Sequence, residues 1–469
     1  MEGSRQHHNV TLGILTLAGT AFALQQTMVF PALTTFERDL NASTAWATWV
    51  LTGFLVAAAV TTPILGRLGD QYGKERLLMI SLAVFFVGSA GAALSWNIWS
   101  LIAFRAVAGA GGAIFPLSFS IIRDEFPPER VKVAMGLLSS VFGVGGGFGI
   151  VLSGVIVDHA SWRWLFVLGS IPVGLCILLV HRFVPESPVR SPSRVDVPGA
   201  ALLSGALLTL MLALTEGEPW GWTSPRILGL GVASAAFFVV WGLVEARVDS
   251  PMVDMRMLAH RPVLLTNLAT LAAGFALFSC FVLVPSFVEM PKSLGYGFGA
   301  SATAAGLFLL PASIAQLPAG PLGGWIGRHY GSKWALSGGM AIVAISAVLL
   351  AWEHDRPWKV AAAGGALGFG VGLAFAAMVA LIAENVHETE TGIATGMNTV
   401  VRMIGAVIGG QLGAALLTTE TVRGGLFPAE SAYTTAFALG AVAALAAALV
   451  ALSIGTRPLR ALEPAEALD

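Results

Sequence analysis

Long apolar runs follow one another along the whole chain, and they limit its possible folds more than any other feature. A membrane-spanning helix needs about 20 mostly apolar residues. Runs of that kind lie at 10–33, 46–66, 77–95, 98–122, 132–157, 162–182, 197–215, 226–245, 263–288, 301–323, 334–352, 358–383, 393–418 and 432–455. These fourteen runs predict an all-α polytopic membrane protein whose two chain ends lie on the same side of the bilayer.

The scarcity of charge leads to the same prediction. Charged residues make up 11% of the 469 residues and hydrophobic residues 56%, whereas soluble domains carry about 25% charged and about 45–50% apolar residues. A soluble protein of this length would still need polar groups to cover its surface, so we expect lipid to cover it. The formal net charge of −1 gives no indication of a nucleic-acid partner.

Several classes of chemistry have no support in the sequence. Cys176 and Cys280 both lie inside apolar runs and predict buried side chains, neither a disulfide framework nor a metal site. The phosphate-binding pattern Gly-x4-Gly-Lys-Ser/Thr is absent. An intramembrane enzyme would need His, Asp, Glu or Ser clustered within the spans, and no such cluster is present. We therefore expect neither a cofactor nor an enzyme.

Lysine and arginine are distributed unevenly between the two sides. If the chain ends are cytoplasmic, seventeen of the 26 fall in cytoplasmic segments, seven fall outside, and Arg105 and Arg402 lie within spans. Loops on the cytoplasmic side usually carry the excess of Lys and Arg. Ten of the 13 tryptophans lie at span ends that this orientation places outside, and tryptophan prefers the membrane interface. We predict a multi-pass protein of the inner or plasma membrane with both termini in the cytoplasm.

Two glycine-containing patterns recur at nearly the same offset. The residues 66–73 after span 2 and 324–331 after span 10 share Gly-x-x-Gly and Tyr-Gly, at an offset of 258. The pattern that begins at Ala134 in span 5 recurs at Ala394 in span 13, at an offset of 260. The two offsets make spans 1–6 equivalent to spans 9–14. We predict an N-terminal six-helix bundle at 1–182, an inserted two-helix hairpin at 183–260 and a C-terminal six-helix bundle at 261–469.

The strongest local signal runs from Gly66 to Arg76, in the loop after span 2. Gly66, Gly69 and Gly73 allow a tight turn and a close approach of helices, while Asp70 can accept hydrogen bonds at the positive N-terminus of a helix. This segment resembles the signature loop of the major facilitator superfamily, in which the loop is a conformational latch. The resemblance implies gating roles for Asp70 and Arg76.

The resemblance covers nearly the whole chain. The fourteen spans, the run Ser-Trp-Arg-Trp-Leu-Phe at 161–166 and the run Gly-Trp-Thr-Ser-Pro at 221–225 are similar to the fourteen-helix drug:proton antiporter branch. The resemblance implies a major facilitator fold of two six-helix bundles plus two inserted helices. It also implies export of small hydrophobic organic compounds by proton antiport, with alternating access between the halves. We expect a monomer.

Ionisable residues inside spans are candidates for proton coupling. A charge near the bilayer centre costs about 2.5–3.5 kcal/mol even on permissive scales, so Arg105 and Arg402 should face a cavity or a partner. In the resembled family an arginine in the position of Arg105 is linked to proton coupling. Asn398 lies one helical turn from Arg402 on the same face and is a candidate to line the cavity. Glu289, near the end of span 9, is the best candidate for a protonatable carboxylate.

Span 5 contains glycines that are spaced for close helix packing, and the antiporter signature of the resembled branch lies in this span. The packing candidates are Gly143, Gly145, Gly149 and Gly154. The usual Gly-Pro step of that signature is replaced here by Gly149-Ile150.

Span 1 also departs from the branch, which usually has an aspartate where this chain has Gln25. Glutamine cannot release a proton, but it can hydrogen-bond a substrate. Two adjacent glutamines in a span are costly unless they face a polar cavity, so we predict that Gln25, Gln26 and Thr27 line the substrate cavity. The two departures leave a second hypothesis open, a lipid or metabolite carrier without proton coupling.

Overall fold

The structure, a computed structural model, describes residues 2–187, 196–248, 251–419, 421–422 and 427–455. The first helices are α1 (Glu2–Thr27), α2 (Leu33–Asp39), α3 (Thr44–Tyr72), α4 (Lys74–Ala93), α5 (Ile98–Ala110), α6 (Ile114–Glu125), α7 (Pro128–His159) and α8 (Arg163–Phe183). The middle helices are α9 (Val197–Thr215), α10 (Gly217–Trp220), α11 (Pro225–Glu245) and α12 (Met255–Ala259). The last helices are α13 (Arg261–Glu289), α14 (Ala302–Ile326), α15 (Ser332–Trp352), α16 (Pro357–Glu384), α17 (Thr391–Thr419) and α18 (Glu430–Leu452).

Short elements connect some of these helices. Single turns of 3-10 helix lie at Phe30–Ala32, Lys292–Leu294 and Glu388–Glu390, and a π-helical turn lies at Gly327–Gly331. The strands β1 (Thr421–Val422) and β2 (Phe427–Pro428) pair antiparallel. The sequence did not predict this small sheet.

The predicted polytopic all-α fold is confirmed. Each predicted span coincides with a long helix, except that span 4 is formed by α5 and α6 together. Within the described part of the chain, ten helical stretches are long and apolar enough to cross a membrane, and one of them, Thr303–Trp352, includes both α14 and α15. Only helices and closed barrels satisfy their backbone polar groups in lipid, which is why hydropathy alone could predict the fold class.

Each half has a large hydrophobic core of its own. Leu82, Phe85 and Phe115 belong to a core built almost wholly within α1–α8, and Leu336 and Phe437 belong to one built within α13–α18. Lipid is as apolar as these side chains, so helix association in a membrane depends on close packing and on small residues at the contacts. The chain therefore has two compact helical halves.

The inserted helices lie at the seam between the halves. α9 packs against α3 of the first half and α17 of the second, while α11 packs against α9. Leu228, Val232 and Val239 of α11 are exposed, which is where lipid would contact them. α9 therefore bridges the halves, and α11 covers it from the outside.

Span 1 ends earlier than predicted. α1 stops at Thr27, and a 3-10 turn at Phe30–Ala32 separates it from α2. Pro31 lies in that turn, and its ring nitrogen has no hydrogen to donate to a continuing helix. The predicted limit at residue 33 was therefore wrong.

Span 4 is broken where the prediction was of one continuous helix. The break between α5 and α6 covers residues 111–113. A Cβ atom on Gly109 would lie 2.2 Å from the Phe54 carbonyl oxygen, and one on Gly111 would lie 2.5 Å from the Ser81 carbonyl oxygen. The glycines thus let the span pass very close to α3 and α4, and the tight turn forms there.

The last glycine of each copy of the repeated pattern has the same backbone conformation. Gly73 has φ 119° and Gly331 has φ 100°, a region that residues with a Cβ avoid. Each glycine directly precedes a helix, α4 or α15. The repeat seen in the sequence therefore corresponds to the same chain reversal in each half.

Candidate functional site

A cavity of about 470 Å³ lies between the two halves. The first half lines it from α1, α3, α5, α6 and α7, and the second from α13, α14, α16 and α17, with Met211 of α9 at the seam. Most of the lining is apolar, and the aromatic rings are those of Phe22, Phe54, Phe115 and Phe375. A mostly apolar cavity of this volume with a few polar groups is typical of a small-molecule site.

The cavity lies in the middle of the bundle and toward one end. We call the end that carries residues 66–76 the motif end. α1 and α17 both start at the motif end, and their lining residues begin only at Phe22 and Thr399. On α13 the lining continues to Glu289, the last residue of that helix. The cavity therefore extends away from the motif end.

Arg105 reaches the cavity from α5, with 1% of the residue exposed. Its Nε donates to the Val50 carbonyl oxygen at 3.3 Å, and its guanidinium carbon lies 4.2 Å from the centre of the Phe54 ring. Among the residues that the structure describes, neither Nη1 nor Nη2 has a hydrogen-bond partner. The arginine is thus held by its Nε and by an aromatic ring, and its two outer nitrogens remain available.

The other two predicted coupling residues line the same cavity. Arg402 of α17 lies across from Arg105 in the other half, and its guanidinium carbon is 4.5 Å from the centre of the Phe375 ring. Glu289 is exposed and borders the cavity at the end away from the motif. The structure therefore brings Arg105, Arg402 and Glu289 to one cavity, while their role in coupling stays a prediction.

The polar residues of span 1 face in different directions. Gln26 and Thr27 line the cavity, and the Thr27 hydroxyl donates to the Gly145 carbonyl oxygen of α7. Gln25 does not belong to the lining. It is fully buried and accepts a hydrogen bond from the Ser89 hydroxyl at 2.6 Å.

Asn398 also lies away from the central cavity. Its Nδ2 donates to Asn267 Oδ1 at 2.8 Å and to Thr270 Oγ1 at 2.9 Å, which ties α17 to α13. Gln316 of α14, which was not predicted from the sequence, lines the cavity and is 1% exposed. Its Nε2 has no partner among the described residues. A polar residue in a span rich in proline was the only sequence signal for it.

Asp70 joins the two halves at the motif end. Its carboxylate oxygens accept hydrogen bonds from the backbone N–H groups of Gly392 at 3.1 Å and Ile393 at 3.0 Å. These two residues lie in the first turn of α17, where unpaired N–H groups carry partial positive charge. Asp70 is completely buried, and Lys74 Nζ lies 3.8 Å from it and 2.5 Å from Asp124.

The motif glycines make this contact possible. A Cβ atom on Gly66 would lie 2.5 Å from the Gly392 carbonyl oxygen, so α3 and α17 touch through their backbones. Gly69 passes equally close to the side chain of Leu117. Gly66 belongs to the contact between the halves, whereas Gly69 packs within the first half.

Arg76 is exposed, and its backbone N–H donates to Glu186 at 3.4 Å. Glu186 also accepts from the backbone N–H of Glu75 at 3.3 Å, so it caps the start of α4. The sequence gave no signal for this cap, because Glu186 lies 110 residues away. This contact of Arg76 stays within the first half and the segment that directly follows it, and a gating role for its side chain stays a prediction.

Two further basic residues join the halves at the motif end, and from the sequence they were only loop charges. Arg123 at the end of α6 donates to the Val386 carbonyl oxygen at 2.9 Å and to Thr391 Oγ1 at 2.6 Å. Lys132 Nζ lies 2.8 Å from Glu384. Each is a charged residue at the motif end of a span, but one sequence cannot pair it with its partner.

The predicted packing glycines of α7 face two different helices. Cβ atoms built on them would lie 2.1 Å from Gln316 of α14 for Gly143, and 2.4 Å from Ala23 of α1 for Gly145. α7 is therefore clamped between α1 of its own half and α14 of the other half.

The remaining two glycines of the set differ from each other. A Cβ atom on Gly149 would lie 2.1 Å from Thr27 of α1, whereas one on Gly154 would meet nothing closer than 3.4 Å, at Thr303. Nearer the motif end, Gly136 of α7 and Gly320 of α14 also touch, because a Cβ on Gly136 would lie 2.2 Å from the Gly320 carbonyl oxygen.

Metal binding has no candidate site in the described ranges, since no three His, Cys, Asp or Glu side chains come together there. Cys176 is buried and unpaired as a thiol, and the side chain of Cys280 lies outside the described residues.

Known proteins match this chain along nearly all of its length. The family model described as Major Facilitator Superfamily matches residues 15–297 and 269–468. Multidrug resistance protein 3 of Bacillus subtilis is 30% identical over 410 residues, which cover 85% of this chain and 77% of that protein. The tetracenomycin C resistance and export protein of Streptomyces glaucescens is 28% identical over 413 residues, which cover 87% of this chain and 74% of that protein.

A solved structure has the same fold. The crystal structure of the human organic anion transporter MFSD10 (TETRAN) superimposes with a TM-score of 0.67 at 15% identity, covering 96% of this chain and 99% of that one. At that identity the likeness is one of fold alone.

Proposed function

Because this chain belongs to the major facilitator superfamily, we propose that it is a secondary active exporter of small hydrophobic organic compounds. The observation that carries the proposal is the apolar cavity between the halves, which is lined by both and contains few charges. The names of the two bacterial relatives, a multidrug resistance protein and a resistance and export protein, support efflux as its direction. The protein would lie in the inner or plasma membrane.

The motif end would face the cytoplasm, because the excess of lysine and arginine lies on that side. In this conformation the cavity would then be directed outward, with the cytoplasmic side closed by the hydrogen bonds of Asp70 and Arg123. Export requires these bonds to break and contacts at the other end to form, as the bundles at 1–182 and 261–469 rock against each other. The hairpin at 183–260 would cover the seam during this motion.

Proton coupling would follow from a protonatable group and a substrate that share one cavity. Glu289 can take up a proton, and it borders the cavity that Arg105 and Arg402 also line. Protonation of Glu289 removes one negative charge from this cavity and changes the electrostatic energy of any substrate in it. Proton binding and substrate binding would thus be linked, which is what exchange transport requires.

One observation favours the second candidate, a carrier without proton coupling. Gln25 stands where the resembled branch has an aspartate, and it is buried against Ser89 and the Phe166 carbonyl oxygen, away from the cavity. The site that usually titrates in span 1 is therefore occupied here by a neutral hydrogen-bonded amide. Coupling would then depend on Glu289 or would not exist.

An efflux-deficient bacterial host that expresses this protein tests the export proposal. We expect the wild-type chain to raise the inhibitory concentration of several compounds in a panel of hydrophobic toxic compounds, and Arg105→Ala to remove that protection. Arg163→Ala is the matched control, because Arg163 contacts Trp162 and the Ser95 carbonyl oxygen outside the cavity. If well-expressed wild-type protein protects against no compound in the panel, the export proposal fails.

A further inference from the structure

We propose that the central cavity prefers compounds that join a flat apolar body to an anionic oxygen group, a carboxylate or a phenolate, and that it disfavours organic cations. As a statement about exported compounds this rests on the proposed function. As a statement about binding it stands on the cavity alone and can be measured separately.

The charge of the cavity lining favours an anion. Among the described residues that line the cavity, the formally charged ones are Arg105, Arg402 and Glu289. Both arginines lie within the spans, whereas Glu289 is the last residue of α13 and is exposed. The middle of the cavity therefore carries an excess of positive charge, which repels a cation strongly where water is scarce.

Several buried hydrogen-bond donors of the cavity lack acceptors among the described residues. Arg105 uses its Nε for the Val50 carbonyl oxygen, but Nη1 and Nη2 have no partner within the described part of the chain. No carboxylate described by the structure lies within ion-pair distance of it. The buried Nε2 of Gln316, which lines the same cavity, is also without a partner there.

Buried donors without partners cost free energy, and a ligand that supplies acceptors removes that cost. The guanidinium group is a planar fork that matches a carboxylate with two parallel hydrogen bonds. In Arg105 the fork is held in place by the Phe54 ring, 4.2 Å away. The site is therefore built to receive an oxygen anion and to receive it in a fixed orientation.

An aromatic wall lies beside Arg105. The Phe22 ring centre lies 5.7 Å from that of Phe54 and 5.9 Å from that of Phe115, and all three rings line the cavity. Aromatic faces and edges at such spacings favour flat aromatic ligands. A planar compound could lie against this wall with its anionic group at Arg105.

Two xanthene dyes of similar size test the preference, fluorescein as the anion and rhodamine 123 as the cation. Binding of each dye to the purified full-length chain in detergent is measured by fluorescence anisotropy at neutral pH. We expect the wild type to bind fluorescein at least about tenfold more tightly than rhodamine 123. We expect Arg105→Gln to weaken fluorescein binding by about tenfold, or about 1.4 kcal/mol, without weakening rhodamine 123.

Two further variants complete the test. Arg105→Lys keeps the charge and loses the fork, so its affinity for fluorescein should fall between those of the wild type and Arg105→Gln. Arg163→Gln, the matched control outside the cavity, should bind both dyes as the wild type does. Size-exclusion chromatography checks that each variant is folded, and if Arg105→Gln aggregates, the comparison of the dyes on the wild type and on Arg105→Lys decides.

Three results would overturn the proposal: a wild type that binds rhodamine 123 as tightly as fluorescein, a wild type that does not bind fluorescein, or a folded Arg105→Gln protein that loses both dyes equally. Export assays in cells distinguish a failure of this preference from a failure of the proposed function. Export of rhodamine 123 but not fluorescein would leave the exporter standing and remove the preference. Arg105-dependent fluorescein binding without export of any compound would support the preference and remove the exporter proposal.

Discussion

At the scale of single residues, the position of Asp70 tolerates few other side chains. It is fully buried, and each carboxylate oxygen accepts a hydrogen bond from a backbone N–H at the start of α17. An asparagine of the same shape would direct its own NH₂ donors at one of these N–H groups. The position thus needs an acceptor on both sides, and the helix N-terminus favours a negative one.

The substitution Asp70→Asn should therefore loosen the motif end. Losing a charge-assisted hydrogen bond costs about 1.5–3 kcal/mol, which is enough to shift a two-state equilibrium by about tenfold or more. Spin labels at Arg130→Cys and Glu388→Cys, both exposed at the motif end and in different halves, would report this by double electron–electron resonance. Cys176 and Cys280 are replaced by serine in this background, and we expect a new population at longer distances.

Asp124→Asn is the matched control for that experiment. Asp124 pairs with Lys74 and accepts from Ser187, so its described contacts stay within the first half and the segment that follows it. Its substitution should leave the distance distribution between the halves unchanged. An Asp70→Asn distribution identical to that of the wild type would show that Asp70 does not hold the motif end closed.

The sequence could identify Asp70 because glycines and charges surround it in one short segment. It could not identify the acceptor's partners, since Gly392 and Ile393 lie 322 and 323 residues further along. Gln25 and Asn398 show a second limit of prediction from sequence. Polar residues in a span must avoid lipid, but the pattern cannot say whether they face a cavity or a neighbouring helix, and here both bond to neighbouring helices.

At the scale of helices, α7 determines how the halves meet. Gly143 and Gly147 face Gln316 and Ser313 of α14, while Gly145 faces α1. Successive glycines are thus directed to opposite neighbours, which explains why this helix needs so many of them. Small residues are the usual means of close helix approach in membranes.

The substitution Gly145→Ala tests this packing. The added Cβ would lie 2.4 Å from the Ala23 Cβ and 2.6 Å from the Ala23 carbonyl carbon. The backbone of α1 cannot move aside easily. Such overpacking costs about 1–3 kcal/mol, so the apparent melting temperature in detergent should fall.

Gly154→Ala is the control for Gly145→Ala, because its Cβ would meet nothing closer than 3.4 Å, an ordinary contact. We expect it to melt as the wild type does. Equal melting temperatures for the two variants would mean that α1 and α7 are not in the close contact described.

The sequence predicted the helices well and their interruptions poorly. Span lengths are imposed by the bilayer, so apolar runs alone place the helices. The break at residues 111–113 depends instead on how closely Gly109 and Gly111 approach α3 and α4. That is a property of the assembled bundle, and a continuous apolar run contains no sign of it.

At the scale of the whole molecule, the two halves are fastened at the motif end and enclose a cavity that extends away from it. Asp70, Arg123 and Lys132 each cross from the first half to the second there. The internal repeat predicted that there are two halves, since its glycines mark the same chain reversal in each. Which conformation they adopt could not be predicted, because it depends on contacts between residues far apart in the chain.

Proton-driven flux in proteoliposomes tests the exporter proposal most directly. The purified chain is reconstituted, and uptake of the radiolabelled compound against which it protects cells best is measured with an acidic lumen and without a pH gradient. Protein-free liposomes and Arg105→Ala proteoliposomes correct for passive partition. We expect accumulation above the external concentration that requires the gradient and collapses with nigericin. Equal rates and end points with and without the gradient would contradict proton antiport and leave the uncoupled carrier.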